Sequence, residues 1–389
     1  MLREDDMAGG VRAVRRPWRA LVQRGLQPVV VVLCCAFASN AFAQRPPLER
    51  PNAAATIVER LPRGYAALES AKQQPPVVQA AALLSAAAAT GDARLATRAE
   101  SLLPTTRADA NHLDVLRLRA FAAQHRHAFS DAARMLDAVA ARAPRDGETR
   151  LALAQLHLVQ GRLDLARRDC ATLVLGIDAQ DGMLCIASVA LRRGDLAQAA
   201  NAADQWLAQP STDAGTLRYV LVMRGEIAAR ARDPAADAWF RKALVLSPGD
   251  VRTRSAYARY LRASGRHREV VALVGTAPAT ETLALQQALS ATASNDPRAA
   301  AMTRMLADRF ARAHAIGVQP ELRDEAEFKL AQHDPAGALA LAQRNFATQR
   351  DWEDVDLLLR TATAARQPEA LVPLRQWAAA QSLPIAVPR

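Results

Sequence analysis

Apolar positions along this chain fall in stripes of helical spacing, and the stripes come in twos. A first stripe ends at a short turn holding Gly or Gly-Asp. A second follows, with an Ala near its start. The turn is plainest at Thr90-Gly91-Asp92, Gln160-Gly161-Arg162, Arg193-Gly194-Asp195 and Ser264-Gly265-Arg266, with His333-Asp334-Pro335 a diverged form. The Ala recurs as Ala96, Ala132, Ala166, Ala199, Ala236, Ala338 and Ala370. Where neighbouring units are both clear, the spacings are 36, 34, 33, 37 and 32 residues. No stretch keeps the strict alternation of a half-buried strand. One helix pair cannot cover its own apolar stripe, whereas stacking the next pair buries it and extends the core. The pattern therefore predicts an all-α protein, an α-α superhelix of antiparallel helix pairs. Small Ala at the crossings lets helices approach, and Phe129, Trp206, Phe240, Phe346 and Trp377 fill the gaps between pairs. A last unit holding Trp352, Leu357, Leu358, Ala370, Leu374 and Trp377 is expected to cap the array. Composition agrees: half of the chain is hydrophobic and only 4% aromatic, which suits Ala- and Leu-rich helices better than sheets.

The repeat resembles the tetratricopeptide repeat (TPR) family. Ala236, Phe240, Ala243 and Pro248 fit that family's second-helix pattern of Ala, an aromatic four residues on, and a closing Pro. Ala132, Leu136, Val139 and Pro144 fit it with an aliphatic in the aromatic slot. The units at Ala166 with Cys170 and at Ala199 with Ala203 are degenerate, and the first-helix Trp-Leu-Gly-Tyr signature is largely missing. The resemblance covers about residues 77–382, with 276–318 matching poorly. Exported bacterial members of the family look closer still, through Glu59-Arg60-Leu61-Pro62, Leu322-Arg323-Asp324-Glu325-Ala326-Glu327-Phe328 and the run Gly337 to Arg350. The resemblance implies a binding scaffold rather than an enzyme, with first helices lining a groove for a partner peptide or helix. In this register the groove positions include Arg117, Phe121, Gln155, Arg218, Arg252, Arg259 and Arg262. The last three lie at spacings of seven and three, on one helix face. Arg forks bind carboxylates bidentately, so an acidic peptide, a chain terminus or an anionic glycan would fit. Arginines snorkelling over apolar surface would give the same pattern.

Residues 1–43 read as a secretory signal. A basic leader (Arg12, Arg15, Arg16, Arg19, Arg24) precedes an apolar run from Val29 to Ala38 and an A-x-A site at Ala41-Phe42-Ala43. Cleavage is expected between Ala43 and Gln44, and Met7 is an alternative start to Met1. The apolar run is too short to span a bilayer as a helix. An uncleaved anchor is the competing reading; a lipoprotein anchor at Cys34 or Cys35 lacks the small residues that should precede the Cys. Residues 44–76 read as an extended leader rich in Pro, 77–382 as the repeat domain and 383–389 as a tail. With no membrane span after cleavage, the mature chain is expected to be periplasmic or secreted.

The formal charge is +11, falling to about +8 without the first 43 residues. Almost every basic residue is Arg, interleaved with Asp and Glu, and no basic run with interleaved aromatics follows the leader; nucleic acid is not an expected partner. Two cysteines remain after cleavage. Cys170 and Cys185 lie equally far from the centre of the turn at Gly176 to Gln180, so antiparallel helices would place them side by side. In an oxidising compartment this predicts a disulfide; two buried free thiols are the alternative. The exported relatives carry Cys at the same two positions.

No nucleophile elbow, metalloprotease helix, P-loop or dinucleotide fingerprint occurs. No catalytic residue, cofactor or metal site is therefore expected. His125-Arg126-His127 is the one dense His feature; two-apart residues on a helix diverge, so it reads as a polar turn before it reads as a ligand set. Asp324, Glu325 and Glu327, and Glu353-Asp354 with Asp356, read as solvated helix faces. The function expected is a protein–protein interaction scaffold or adaptor of the cell envelope. The alternatives are an envelope or polysaccharide assembly factor binding anionic glycan, or a metal-handling accessory protein resting on scattered His.

Overall fold

The computed structural model describes residues 73–104, 112–209, 213–275, 280–315 and 317–385, all within the unit Arg50–Arg389. The expected signal and most of the expected leader lie outside the described residues. Among those described there are no strands. Eighteen α-helices among the described residues follow one another as nine antiparallel pairs. They are α1 (Pro76–Thr90) with α2 (Ala93–Leu102), α3 (Leu113–His125) with α4 (Phe129–Arg142), and α5 (Gly147–Val159) with α6 (Leu163–Gly176). Next come α7 (Ala179–Arg193) with α8 (Leu196–Leu207), α9 (Ala214–Arg230) with α10 (Ala236–Leu246), and α11 (Val251–Ala263) with α12 (His267–Val274). The last are α13 (Glu281–Ala293) with α14 (Ala299–Ala315), α15 (Leu322–Ala331) with α16 (Pro335–Thr348), and α17 (Trp352–Ala365) with α18 (Val372–Ala380), the last pair joined by a 3-10 turn at Pro368–Leu371.

The turn inside each pair has one residue in a left-handed conformation, and at every turn but the first its amide and the next fold back on the carbonyls of the first helix; at the first, the Asp92 amide donates to Thr90 Oγ1 instead. Gly91, Gly161, Gly194 and Gly265 are the left-handed residues where the sequence shows Gly. His127, Arg232, Asn295, His333 and Arg366 take that conformation in the other five pairs, with φ between 54° and 60°. The paired bonds are those of a Schellman cap: Gly161 N–H donates to Leu158 O at 3.0 Å, and Arg162 N–H to His157 O at 2.8 Å. An Asp then often caps the following helix, as Asp92, Asp195 and Asp334 do for α2, α8 and α16.

The recurrent Ala residues sit where the register places them, all seven buried and six with no exposed surface. The core is a chain of clusters between successive pairs, such as that around Phe240, Tyr257 and Leu261. Phe129, Trp206, Phe240 and Phe346 are buried in it. Gly225 lets α9 and α10 touch: a Cβ there would lie 2.8 Å from the Phe240 ring. The poorly matching stretch 276–318 holds a regular pair, α13 with α14, whose core uses Leu306 and Phe310 in place of small residues.

Candidate functional site: the face shared by α7, α9, α11 and α17

The predicted groove residues divide in two. Arg117 on α3 is held by Asp114, by Asp146 at 2.8 Å and by Glu148 at 3.1 Å. Phe121 is half-buried between the first two cores, and Gln155 on α5 is exposed. The other four come together. Arg218 reaches Asp250 at 3.5 Å. The Arg252 guanidinium lies over the Tyr219 ring at 5.1 Å. Arg259 faces Glu353 at 3.7 Å. Arg262 is bound by Glu327 and by Gln286, both at 2.7 Å.

Glu327 and Glu353 belong to α15 and α17, far along the chain from α11. The last two pairs pack against the ends of the first helices of earlier pairs, and their contacts there are polar. Arg350 N–H donates to Val159 O at 2.8 Å, Trp377 Nε1 to Gly161 O at 2.9 Å, and Leu163 N–H to Gln381 Oε1 at 3.0 Å. Arg192 pairs with Asp351 at 2.7 Å, and Arg230 lies over Trp352 at 4.9 Å. A Cβ on Gly161 would fall 2.8 Å from both Arg350 and Trp377, so this glycine serves the close approach as well as the turn. Leu383 packs against the core beside the disulfide, and Ile385 against the last core.

Packing between pairs, adjacent ones for the acidic segments and distant ones for His127, puts the charged segments at odds with expectation. Asp324 and Glu325 are not a solvated face: they are 4% and 7% exposed. Asp324 accepts from Thr282 Oγ1 at 2.6 Å, and Glu325 pairs with His314 at 2.8 Å. Asp354 is 1% exposed. It accepts from Arg323 Nε and Asn345 Nδ2, each at 2.7 Å, and from Asp351 N at 2.8 Å, closing a capping box on α17. His127 is no free polar turn either. It meets Glu321 at 3.2 Å and Gln349 at 2.9 Å across the chain.

The field of this region is set by crowding. Burial pushes Glu353 up, but Arg259, Arg323 and Arg192 together prevail and hold it at about 2. Glu226 on α9 has no salt-bridge partner among the described residues; burial outweighs Arg252, Arg192 and Arg259 around it and raises its pKa. Burial, with Glu321 adding, raises Asp324 to about 7. Burial raises Glu321 too, but its hydrogen bond to His127 helps bring it down to about 2, and the same bond raises His127. Tyr219, Glu226, Arg230 and Trp352 were absent from the predicted groove. A signal existed: Tyr219, Glu226 and Arg230, at spacings of seven and four, form a row on α9 like the one read on α11. Trp352, expected in the core of a cap, is 43% exposed.

Cys170 and Cys185 form a disulfide joining α6 to α7, with Cα atoms 5.3 Å apart. Among the described residues no group of His, Cys, Asp and Glu is arranged to hold a metal ion, and no helix is long and apolar enough to cross a membrane.

No family model and no curated relative matches the sequence. Among solved structures, a tetratricopeptide repeat protein from Parabacteroides merdae is similar at 17% identity, covering 64% of this chain and 98% of that one, with a TM-score of 0.38. The TPR domain of P58(IPK) is similar at 15% identity, over 77% of this chain and 99% of that one, with a TM-score of 0.22. The APC/C hetero-tetramer Cut9-Hcn1 is similar at 12% identity, over 82% and 87%, with a TM-score of 0.29. These likenesses are distant, and the assignment rests on the chain's own geometry: nine consecutive antiparallel pairs with one turn motif make it an all-α, TPR-like solenoid.

Proposed function

We propose that this chain is an exported, non-catalytic scaffold or adaptor of the bacterial cell envelope that binds a partner peptide or helix on the face shared by α9, α11 and α17. The observation that carries the reading is the side-chain row on that face. Tyr219, Glu226, Arg252 and Arg259 are half-buried or exposed and face one another, while the apolar stripes of the same helices are buried between pairs. Such a surface suits recognition of an extended or helical segment by side chains, and unsatisfied guanidinium valences suit an acidic one. A disulfide fits an oxidising compartment, in line with a signal over residues 1–43 and a mature start at Gln44.

The test is capture from envelope extracts by the full chain carrying a C-terminal tag. The expected result is a partner retained by the wild type and lost in Arg252→Glu/Arg259→Glu, with Gln44 found as the first residue. A chain that retains no partner but turns over a substrate would overturn the proposal. The anionic-glycan reading draws on one observation, the exposed Trp352 ring under Arg230. Binding of acidic glycans on an array, abolished by Trp352→Ala, would favour it over a peptide.

A further inference from the structure

A cavity of about 260 Å³ opens at a separate place, between the second, third and eighth helix pairs. One wall is the start of α4, where Ala128 stands at the N-cap and supplies no side-chain acceptor. The first amides of that 14-residue helix therefore lack the usual capping partner and carry the positive end of the helix dipole. The opposite walls bring Arg162, from the turn before α6, and Arg350, from the end of α16. Neither arginine has a carboxylate partner among the described residues, whereas Arg192, Arg259, Arg262 and Arg323 are all paired. Arg350 spends Nε and Nη1 on the carbonyls of Phe346 and Gln160. Its Nη2 remains. The two guanidinium groups are close enough that Arg162, after burial, lowers the Arg350 pKa.

Gln160 also lines the cavity, and its side-chain Oε1 is enclosed with no hydrogen-bond partner. That oxygen is an acceptor and offers an anion nothing, but rotation of the amide plane would present its Nε2–H donors without breaking a bond to Oε1. Ser130 and Thr348 add hydroxyls to the lining. The only acid there, Asp131, is engaged by Arg134.

We propose that this cavity is a binding site for a phosphate monoester or inorganic phosphate, held between the two arginines and the first turn of α4. Donors converge from three sides and outnumber what the two oxygens of a carboxylate could accept, which favours a tetrahedral dianion. The site does not touch the α9–α11–α17 face and stands or falls without it.

The experiment is calorimetric titration of the full chain with sodium phosphate at constant ionic strength, alongside Arg162→Gln. Arg162 is exposed and makes no contact that the fold needs, so this variant should fold. Arg168→Gln, an exposed position on α6 outside the cavity, is the control. The expected result is saturable binding that weakens roughly tenfold or more in Arg162→Gln, the worth of one charge-assisted contact, and is unchanged in Arg168→Gln. Co-sedimentation with phosphatidic acid vesicles, against phosphatidylcholine alone, distinguishes the source. Binding there as well as in solution assigns a lipid headgroup; binding in solution alone assigns a soluble phosphate. Absence of saturable binding, equal affinity in Arg162→Gln, or equal competition by chloride would overturn the proposal.

Discussion

Replacing Asp354 by Ala strikes the junction between the eighth and ninth pairs. Its Oδ1 accepts from Arg323 and Asn345, and its Oδ2 from the backbone of Asp351. The change removes the carboxylate half of the capping box, worth about 1 kcal/mol. It also breaks a buried ion pair, a loss of roughly 3–5 kcal/mol when one charge is left uncompensated. Arg323 keeps Glu353, Asp351 and Glu321 nearby, so the lower end applies and the total comes to about 4 kcal/mol. Asp354→Asn keeps an acceptor for Arg323 but not the charge and should cost about half as much. Repeat arrays open in pieces, so hydrogen exchange is the right assay. Protection of α15 to α18 should fall roughly a thousandfold in Asp354→Ala, with α1 and α2 unchanged. A loss below about 1 kcal/mol, or one spread evenly over all pairs, would refute this account of how the C-terminal pairs are held.

Four other outcomes follow from named contacts. Cys170→Ser/Cys185→Ser should lose about 3 kcal/mol for a closed loop of this length, and in urea melts it should match the wild type under reductant. Arg232→Gly and Arg366→Gly relieve a left-handed backbone at exposed positions and should each add about 0.5–1 kcal/mol in the same melts; a decrease would show that these side chains hold something. Gly161→Ala should raise exchange in α18 before it raises it in α5, because the added Cβ meets Trp377 and Arg350 first. Asp324 titrates in the opposite sense to a paired carboxylate: its pKa, about 7, lies above the unfolded value. The folded chain therefore keeps a proton that the unfolded chain has lost between about pH 4 and 7, and stability falls as pH rises through that window, by at most about 4 kcal/mol. Asp324→Asn should be more stable than wild type at pH 8 and equal to it at pH 4; equal melts at both would dismiss the shift.

The helix pairs were legible because Ala and Gly act locally. An Ala at a crossing and a Gly at a left-handed turn are demanded by sterics within a few residues, so Ala96 to Ala370 and Gly91 to Gly265 could be read directly. The turns without Gly hid a second signature. Arg232-Asp233-Pro234, Asn295-Asp296-Pro297, His333-Asp334-Pro335 and Arg366-Gln367-Pro368 all place Pro two residues after the left-handed position. There its missing N–H falls at the start of the next helix and costs nothing. Reading His333-Asp334-Pro335 as a diverged oddity, and not as one of four, left α13 and α14 unrecognised. The charged faces were illegible for another reason. Asp324, Glu353 and Asp354 obey the same helical spacing whether they face water or Thr282, Arg259 and Arg323, and only the packing of other pairs against them decides which.

That return gives the charges a role beyond stability. Apolar stripes stack similarly at every junction, so they do not specify where α15 to α18 should rest. A buried ion pair gains little net energy against an apolar contact, but misplacing one partner is expensive. Arg192 with Asp351, Arg262 with Glu327 and His127 with Glu321 therefore act as register pins. The same contacts bear on recognition. Glu353 already faces Arg259, and Glu327 already holds Arg262, so an acidic partner must compete with the chain's own carboxylates at those two. Arg252, which rests on Tyr219 without an ion pair of its own among the described residues, is where an incoming carboxylate meets the least opposition.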